Sequence, residues 1–319
     1  MIRIGLDVMG GDFAPEATIQ GALDTLEKIG REDRLFLFGP EQLMAELILA
    51  KGGRPEDFEL IDCPDVIGMG ERPIKAFTGK PYSSIATGFR YLKNKHIDTF
   101  SSAGNSGATM VGAMYSVGNI PGVIRPTTLT ILPKESGGRN VLLDIGTNPD
   151  IKPDILYQFA ILGSIYARAV LNIRNPKVGL LNIGEEDEKG NLLCQSAFRL
   201  MKDSPDFNFF GNVEGRDLFK DKADVIVTDG FTGNVVLKQI EAMYRLLVKR
   251  NLVDDYIKQF NYEIYGGSPI LGVNGAVVIG HGISSPLAIS NMLLLSRNLF
   301  EARLAQKIKH AMKQYMQKK

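Results

Sequence analysis

The chain has 319 residues, more than one typical domain and fewer than two large ones, which favours a single α/β catalytic unit over 1–319, or two lobes around a central cleft. Its 44% hydrophobic and 23% charged residues are ordinary for a globular protein, so the core needs no metal or disulfide staple, and a formal net charge of +1 gives no global reason to expect nucleic acid as a partner. The two cysteines, Cys63 and Cys194, lie in apolar-flanked stretches and read as reduced, buried thiols of a cytoplasmic protein.

Met1-Ile2-Arg3-Ile4-Gly5-Leu6-Asp7 leads directly into a strand over 2–8 and lacks the apolar h-region and cleavage site of a signal peptide. No segment approaches the roughly 18 consecutive apolar residues of a membrane span, so any membrane contact is expected to be peripheral. A helix follows over 15–29, with Pro15 in its first turn. The alternation then continues, with strands expected at 34–38, 58–62, 98–102, 140–145, 177–183, 207–211, 223–228 and 275–280. Helices are expected at 40–51, 83–95, 105–117, 153–170, 191–202, 234–259 and 285–316. Residues 121–139 break the rhythm and suggest an antiparallel excursion or inserted hairpin. The pattern as a whole predicts an α/β fold, a mostly parallel sheet with helices on both faces. No repeat, low-complexity segment or clean linker interrupts it.

Ligands of open α/β sheets bind outside the carboxyl ends of the strands. Five predicted strand ends carry glycine together with Asn, Ser, Thr, Asp, Lys or His: 103–107 (Ala-Gly-Asn-Ser-Gly), 146–148 (Gly-Thr-Asn), 184–190 (Gly-Glu-Glu-Asp-Glu-Lys-Gly), 229–234 (Asp-Gly-Phe-Thr-Gly-Asn) and 280–286 (Gly-His-Gly-Ile-Ser-Ser-Pro). Glycine lets backbone N–H groups approach an anion, and a helix N-terminus adds partial positive charge. For any one turn, positive φ and helix capping explain the same residues equally well. All five together favour a shared anionic ligand.

Several familiar sites are absent from the sequence. It has no G-x-x-x-x-G-K-[ST] for a nucleotide phosphate, no G-x-G-x-x-G after the first strand, no G-x-S-x-G elbow and no Cys/His set with zinc spacing. Of three histidines, only His281 lies between glycines at a predicted helix mouth; His96 and His310 read as solvent-facing.

Residues 5–12 (Gly-Leu-Asp-Val-Met-Gly-Gly-Asp), 102–108 (Ser-Ala-Gly-Asn-Ser-Gly-Ala), 180–190 (Leu-Leu-Asn-Ile-Gly-Glu-Glu-Asp-Glu-Lys-Gly), 211–216 (Gly-Asn-Val-Glu-Gly-Arg) and 228–234 (Thr-Asp-Gly-Phe-Thr-Gly-Asn) resemble the PlsX family of acyl-ACP:phosphate acyltransferases. Arg125-Pro126, Tyr265-Gly266-Gly267 and His281-Gly282 are similar too, so the likeness runs in order from about residue 2 to 300. It implies a three-layer αβα homodimer related to isopropylmalate dehydrogenase and phosphotransacetylase, working without metal or organic cofactor. It also implies transfer of a fatty acyl group from acyl-phosphopantetheine on acyl carrier protein to inorganic phosphate, the product feeding a membrane glycerol-3-phosphate acyltransferase. Two departures stand out. Thr147 replaces an alanine common in the family, and the 237–265 region is shorter than the helical protrusion of many relatives, which bears on membrane contact at the inner face.

That chemistry asks for a phosphate held against a thioester, a stabilised oxyanion and a protonated leaving thiol. The expected phosphate and substrate contacts are Gly104, Asn105, Ser106, Gly107, Asn148, Gly230, Thr232 and Gly233, with 104–107 and 230–234 expected to meet in one cleft. Catalytic expectations fall on Lys189, Asn234, His281 and Asp229; Asp7, Asp12, Asp144 and Asp229 follow or end strands and are read as orienting these donors, with structural capping an equal rival for Asp7 and Asp12. Lys189 follows four acidic residues, and a solvated, internally paired loop is the rival reading. Arg72, Lys75 and Lys80 read as a loop that either contacts the carrier protein or its pantetheine, or is merely solvated. A late helix sets Lys307, Lys309, Lys313, Lys318 and Lys319 beside an apolar stripe through Leu304, Ile308, Ala311, Met312 and Tyr315, mainly a packing element with carrier-protein or lipid contact the lesser reading. Two alternatives remain: a phosphotransacetylase-like enzyme using a short acyl-CoA, and a non-catalytic carrier-protein scaffold.

Overall fold

A computed structural model describes residues 1–318; Lys319 lies outside the described residues. The strands are β1 (Arg3–Asp7), β2 (Arg34–Gly39), β3 (Glu59–Asp62), β4 (Thr99–Ser102), β5 (Thr127–Pro133), β6 (Arg139–Leu143), β7 (Lys177–Leu181), β8 (Asn208–Val213), β9 (Val225–Val227), β10 (Ser268–Leu271) and β11 (Ala276–Ile279). The helices are α1 (Glu16–Leu26), α2 (Glu41–Ala50), α3 (Pro73–Gly79), α4 (Ser84–Lys93), α5 (Ser106–Gly112), α6 (Pro153–Ala169), α7 (Leu192–Met201), α8 (Gly230–Lys249), α9 (Pro286–Glu301) and α10 (Leu304–Lys318). They fall into two compact units, the first Met1–Asn119 with Tyr262–Glu301, the second Ile120–Asn261 with Ala302 onward.

In the first unit the strand order is β3-β2-β1-β4-β11-β10, parallel except for β10 against β11. Helices cover both faces, because successive side chains of a strand point to opposite sides. On β4, the Thr99 hydroxyl lies 3.1 Å from that of Ser296 on α9, whereas the ring of Phe100 packs edge-on against Phe89 of α4, 5.0 Å between centroids. Cys63 is buried in the Phe89 cluster, and burial pushes its thiol up to about 11, as an unreactive thiol requires.

The second unit has the order β5-β6-β9-β7-β8, antiparallel only at β5–β6. That antiparallel pair is the expected excursion. On β9, Val225 meets α6 at Gly163, while Ile226 joins the cluster that Val236, Leu237 and Ile240 of α8 cover. No helix among the described residues is long and apolar enough to cross a membrane.

Four expectations need correction. Residues 72–80 form a helix rather than a loop: Arg72 is its N-cap and Pro73 takes N1, where a missing N–H costs nothing. The helix expected at 234–259 starts at Gly230, because Asp229 caps it, and stops at Lys249, where Asn251 turns to positive φ and Leu252 N–H closes back on the Leu247 carbonyl. The single helix expected over 285–316 is two, broken where Arg303 adopts φ 52°. Finally, β10 contains Pro269, which hid it from a propensity reading; it pairs antiparallel with β11.

Candidate active site

In the second unit, four strand ends set the site. β6 runs into Asp144, whose fully buried carboxylate accepts the N–H groups of Gly146, Thr147 and Asn148, each at 2.9 Å, and the Asn148 Nδ2 at 2.6 Å. Burial pushes the Asp144 carboxyl up, and these donors pull it back toward the ionised form. Asn148 Nδ2 also donates to the Pro126 carbonyl, and the Asn148 carbonyl accepts from Gly230 N–H, both at 2.8 Å. The predicted ligand contact Asn148 is therefore 5% exposed, with its carboxamide engaged inside the turn.

Asp229 and α8 lie against this turn. Asp229 caps the helix through Thr232 N–H, and Thr232 Oγ1 donates to the same carboxylate. A Cβ on Gly233 would overlap the Asp144 carbonyl oxygen, so only glycine lets the helix come this close. Asn234 is exposed and donates from Nδ2 to the Ile145 carbonyl at 3.1 Å. First-turn N–H groups have no intrahelical acceptor. That of Gly230 is taken by Asn148 and that of Thr232 by Asp229.

β7 and β8 end in two buried asparagines that sequence reasoning did not single out. Asn182 Nδ2 donates to the Lys189 carbonyl at 3.0 Å and to Asn212 Oδ1 at 3.1 Å; Asn212 Nδ2 donates to the Glu186 carbonyl at 2.8 Å. The acids of this loop pair outward: Glu185 with Lys222 and Asp187 with Lys202, each at 2.5 Å. Lys189 is exposed, and its ammonium forms no ion pair among the described residues. The signal that marked the asparagines was a carboxamide at the end of one predicted strand, 177–183, and another directly after the next, 207–211.

In the first unit, Asp7 ends β1, fully buried. Its carboxylate accepts Ser102 Oγ at 2.6 Å and Met9 N–H at 3.1 Å, and Ser102 Oγ in turn accepts Gly104 N–H at 3.0 Å. Burial raises the Asp7 carboxyl, against the hydroxyls of Ser102 and Ser84. Gly104 N–H is thus engaged, and so is Asn105. Asn105 Oδ1 caps α5 through Ala108 N–H at 2.9 Å, and its Nδ2 donates to the carbonyls of Gly68, Met69 and Glu71. Ser106 is exposed, and Gly107 abuts Pro73 of α3.

Arg72 and Lys75 are exposed, but Lys80 is tied to Glu71 at 2.6 Å and to the Val66 carbonyl at 2.7 Å. Its ammonium draws the Glu71 carboxyl below the usual range. His281 follows β11 half-buried, its ring 5.2 Å from that of Tyr262. The His281 carbonyl accepts from Ser284 Oγ at 2.6 Å, and the next carbonyl, Gly282, accepts from Asp12 N–H at 2.7 Å. The second unit therefore brings together Asn148, Asp229, Gly230, Thr232, Gly233 and Asn234. The first holds Gly104–Gly107 beside Asp7 and, next to them, the His281 turn, where Gly280 N–H donates to the Ser102 carbonyl at 2.8 Å.

Comparison with known proteins agrees along nearly the whole chain. A family model described as "Fatty acid synthesis protein" matches residues 2–252. A phosphate acyltransferase of Salinibacter ruber is 41% identical over 97% of both chains, and one of Desulforudis audaxviator is 42% identical over 92% of this chain and 90% of that one. Among solved structures, a phosphotransacetylase from Streptococcus pyogenes superposes with a TM-score of 0.65 at 15% identity, covering 93% of this chain and 94% of its own, a likeness of fold.

Proposed function

We propose, from the premise that this chain belongs to the fatty acid synthesis protein family, that it is a phosphate acyltransferase moving a long-chain fatty acyl group from acyl carrier protein onto inorganic phosphate. The observation that carries this reading is the near-full-length likeness to phosphate acyltransferases at about two residues in five, 41% in one case. A phosphate oxygen attacks the thioester carbon, the tetrahedral oxyanion collapses, and the C–S bond breaks. The products are acyl phosphate and the carrier's pantetheine thiol, which takes one proton.

Phosphate is a competent nucleophile near neutral pH, so the protein's work is positioning and charge stabilisation. We assign Lys189 to the developing negative charge and Asn234 to a phosphate oxygen, with Asp229 orienting the α8 entrance. His281 is the candidate proton donor to the departing sulfur. Because Gly104 N–H, Asn105 and Asn148 are engaged by the protein itself, their assigned role is to hold the turns. Ser106 and the Gly107 N–H remain the first unit's substrate-facing candidates. Arg72 and Lys75 are the exposed cations offered to the acidic carrier protein.

On this reading the partners are phosphate, acyl carrier protein and, downstream, a membrane glycerol-3-phosphate acyltransferase, which puts the enzyme in the cytoplasm near the inner membrane face. The assembly proposed is a homodimer. The test is formation of acyl phosphate from palmitoyl-ACP and phosphate, with palmitoyl-CoA and acetyl-CoA alongside. Turnover with acetyl-CoA alone would favour the phosphotransacetylase-like reading, for which the fold likeness speaks; no turnover with any donor would leave the scaffold reading.

A further inference from the structure

The loop after β7 poses a physical problem. Residues 183–190 include six exposed positions and carry the one cation assigned to the reaction, yet a lysine side chain on a mobile loop stabilises a transition state poorly. Ion pairs at Glu185 and Asp187 anchor the loop's acids, but both are solvent-exposed pairs of small worth. The stronger anchors lie beneath. Asn182 and Asn212 are 8% and 3% exposed and stand on adjacent strands, since Leu181 is in register with Val213. Their carboxamides bond to each other at 3.1 Å, and each also bonds to the loop. Asn182 Nδ2 holds the carbonyl of Lys189, its Oδ1 accepts Ile183 N–H at 2.9 Å, and Asn212 Nδ2 holds the carbonyl of Glu186. Gly190, at φ 91°, packs on the Asn182 carboxamide, where a Cβ would collide. The loop is thus clasped at its first residue, its middle and its last two.

We propose that Asn182 and Asn212 are positioning residues for the acyl transfer, a buried carboxamide clasp that fixes the Lys189 backbone so that its ammonium is aimed before substrate arrives. The inference rests on the phosphate acyltransferase reading and adds residues that touch no substrate. A polar pair buried at strand ends would otherwise be a costly way to close a surface loop, because each carboxamide must be desolvated.

The experiment is a double-mutant cycle in the intact protein, Asn182→Ala and Lys189→Ala singly and together, with kcat and KM for palmitoyl-ACP and phosphate. Asn182→Ala is expected to lower kcat by up to about 10²-fold with KM for palmitoyl-ACP little changed. In the Lys189→Ala background it is expected to have no further effect, since there is then nothing to aim. Asn212→Ala, which frees the Glu186 carbonyl instead, serves as the second variant should Asn182→Ala fold poorly, and thermal unfolding reports on each. Hydrogen exchange over 183–190, a readout independent of turnover, is expected to accelerate in either asparagine variant. Equal loss of kcat in both backgrounds, or wild-type turnover in both asparagine variants, would overturn the proposal. Wild-type protein that makes no acyl phosphate would instead sink the function reading, and exchange left unchanged in the asparagine variants would sink the clasp as well.

Discussion

The Asp229 carboxylate accepts both the N–H and the hydroxyl of Thr232, each at 2.8 Å. The bond to N–H makes the start of α8, and it also places a negative charge where a helix N-terminus would otherwise attract an anion.

Two substitutions separate those effects. Asp229→Asn keeps an oxygen for the cap and removes the charge, so thermal stability should stay near wild type while the KM for phosphate falls. Asp229→Ala removes the cap and should cost about 1 kcal/mol in denaturant unfolding. A rise in phosphate KM for the Asn variant would show that the carboxylate serves the substrate directly.

Gly233 supports the same turn by close approach. Gly233→Ala places a Cβ on the Asp144 carbonyl, and relief requires moving α8 or the turn. Such overpacking typically costs about 1–3 kcal/mol, so the urea midpoint should drop clearly. An unchanged midpoint would mean that α8 is free to shift.

Strand ends and glycine turns were legible because each βα junction writes its glycine and its cap into a few contiguous residues. Asp229-Gly230-Phe231-Thr232-Gly233-Asn234 was legible as the turn after β9, although its helix begins at Gly230. Which donors are consumed was not legible. Asn105 and Asn148 read as ligand contacts until the carbonyls of Gly68, Met69, Glu71 and Pro126 came to lie beside them, and those contacts span 22 to 37 positions of sequence. The segment 72–80 was misread because Pro73 and Gly79 look like loop punctuation, whereas they stand at the first and last positions of α3.

Asp7 and Asp144 give stability a particular pH dependence. Burial raises both carboxyls above the unfolded value, so the folded state holds those protons more tightly. Between the unfolded value and the raised folded one, stability therefore falls as pH rises, and above both it stays lower. Asp33 behaves oppositely: burial opposes ionisation, but Arg297 and Ile2 N–H outweigh it, so its contribution is lost as pH drops below the ordinary carboxylate range. Asp7→Asn should flatten the thermal-stability profile on the acidic side of neutrality, measured by melting temperature against pH. A profile steeper than wild type would contradict this sign.

Lys189→Ala should fold normally and lose about 10²–10³-fold in kcat, the usual cost of one transition-state contact. Lys189→Arg should restore part of it, since the planar guanidinium directs its charge differently. Near-wild-type turnover of the Ala variant at saturating phosphate would return 183–190 to the status of a solvated loop.

Helix α8 is apolar on two sides. Gly230 and Gly233 are its buried residues, and Leu237 and Ile240 lean on the core beside them. On the outward side, Phe231, Val235, Met243 and Leu246 are between 48% and 67% exposed. At 3.6 residues per turn these four fall within one stripe. A helix with apolar side chains on opposite faces normally has both covered, and here a second copy of the chain is the proposed cover. Met243 and Leu246 lie nine and twelve residues beyond Asn234, on the order of 14–18 Å along the axis, so changing them should leave the chemistry untouched. Met243→Glu with Leu246→Glu should convert a dimer into a species of the 35.0 kDa chain mass in sedimentation at micromolar concentration, with per-chain kcat retained. Each buried apolar side chain replaced by a charge forfeits about 1.5–3 kcal/mol of burial, enough in pairs to dissociate an ordinary interface at that concentration. Wild-type protein that already sediments at the chain mass would rule out the homodimer, and a variant that stays dimeric would move the interface off α8.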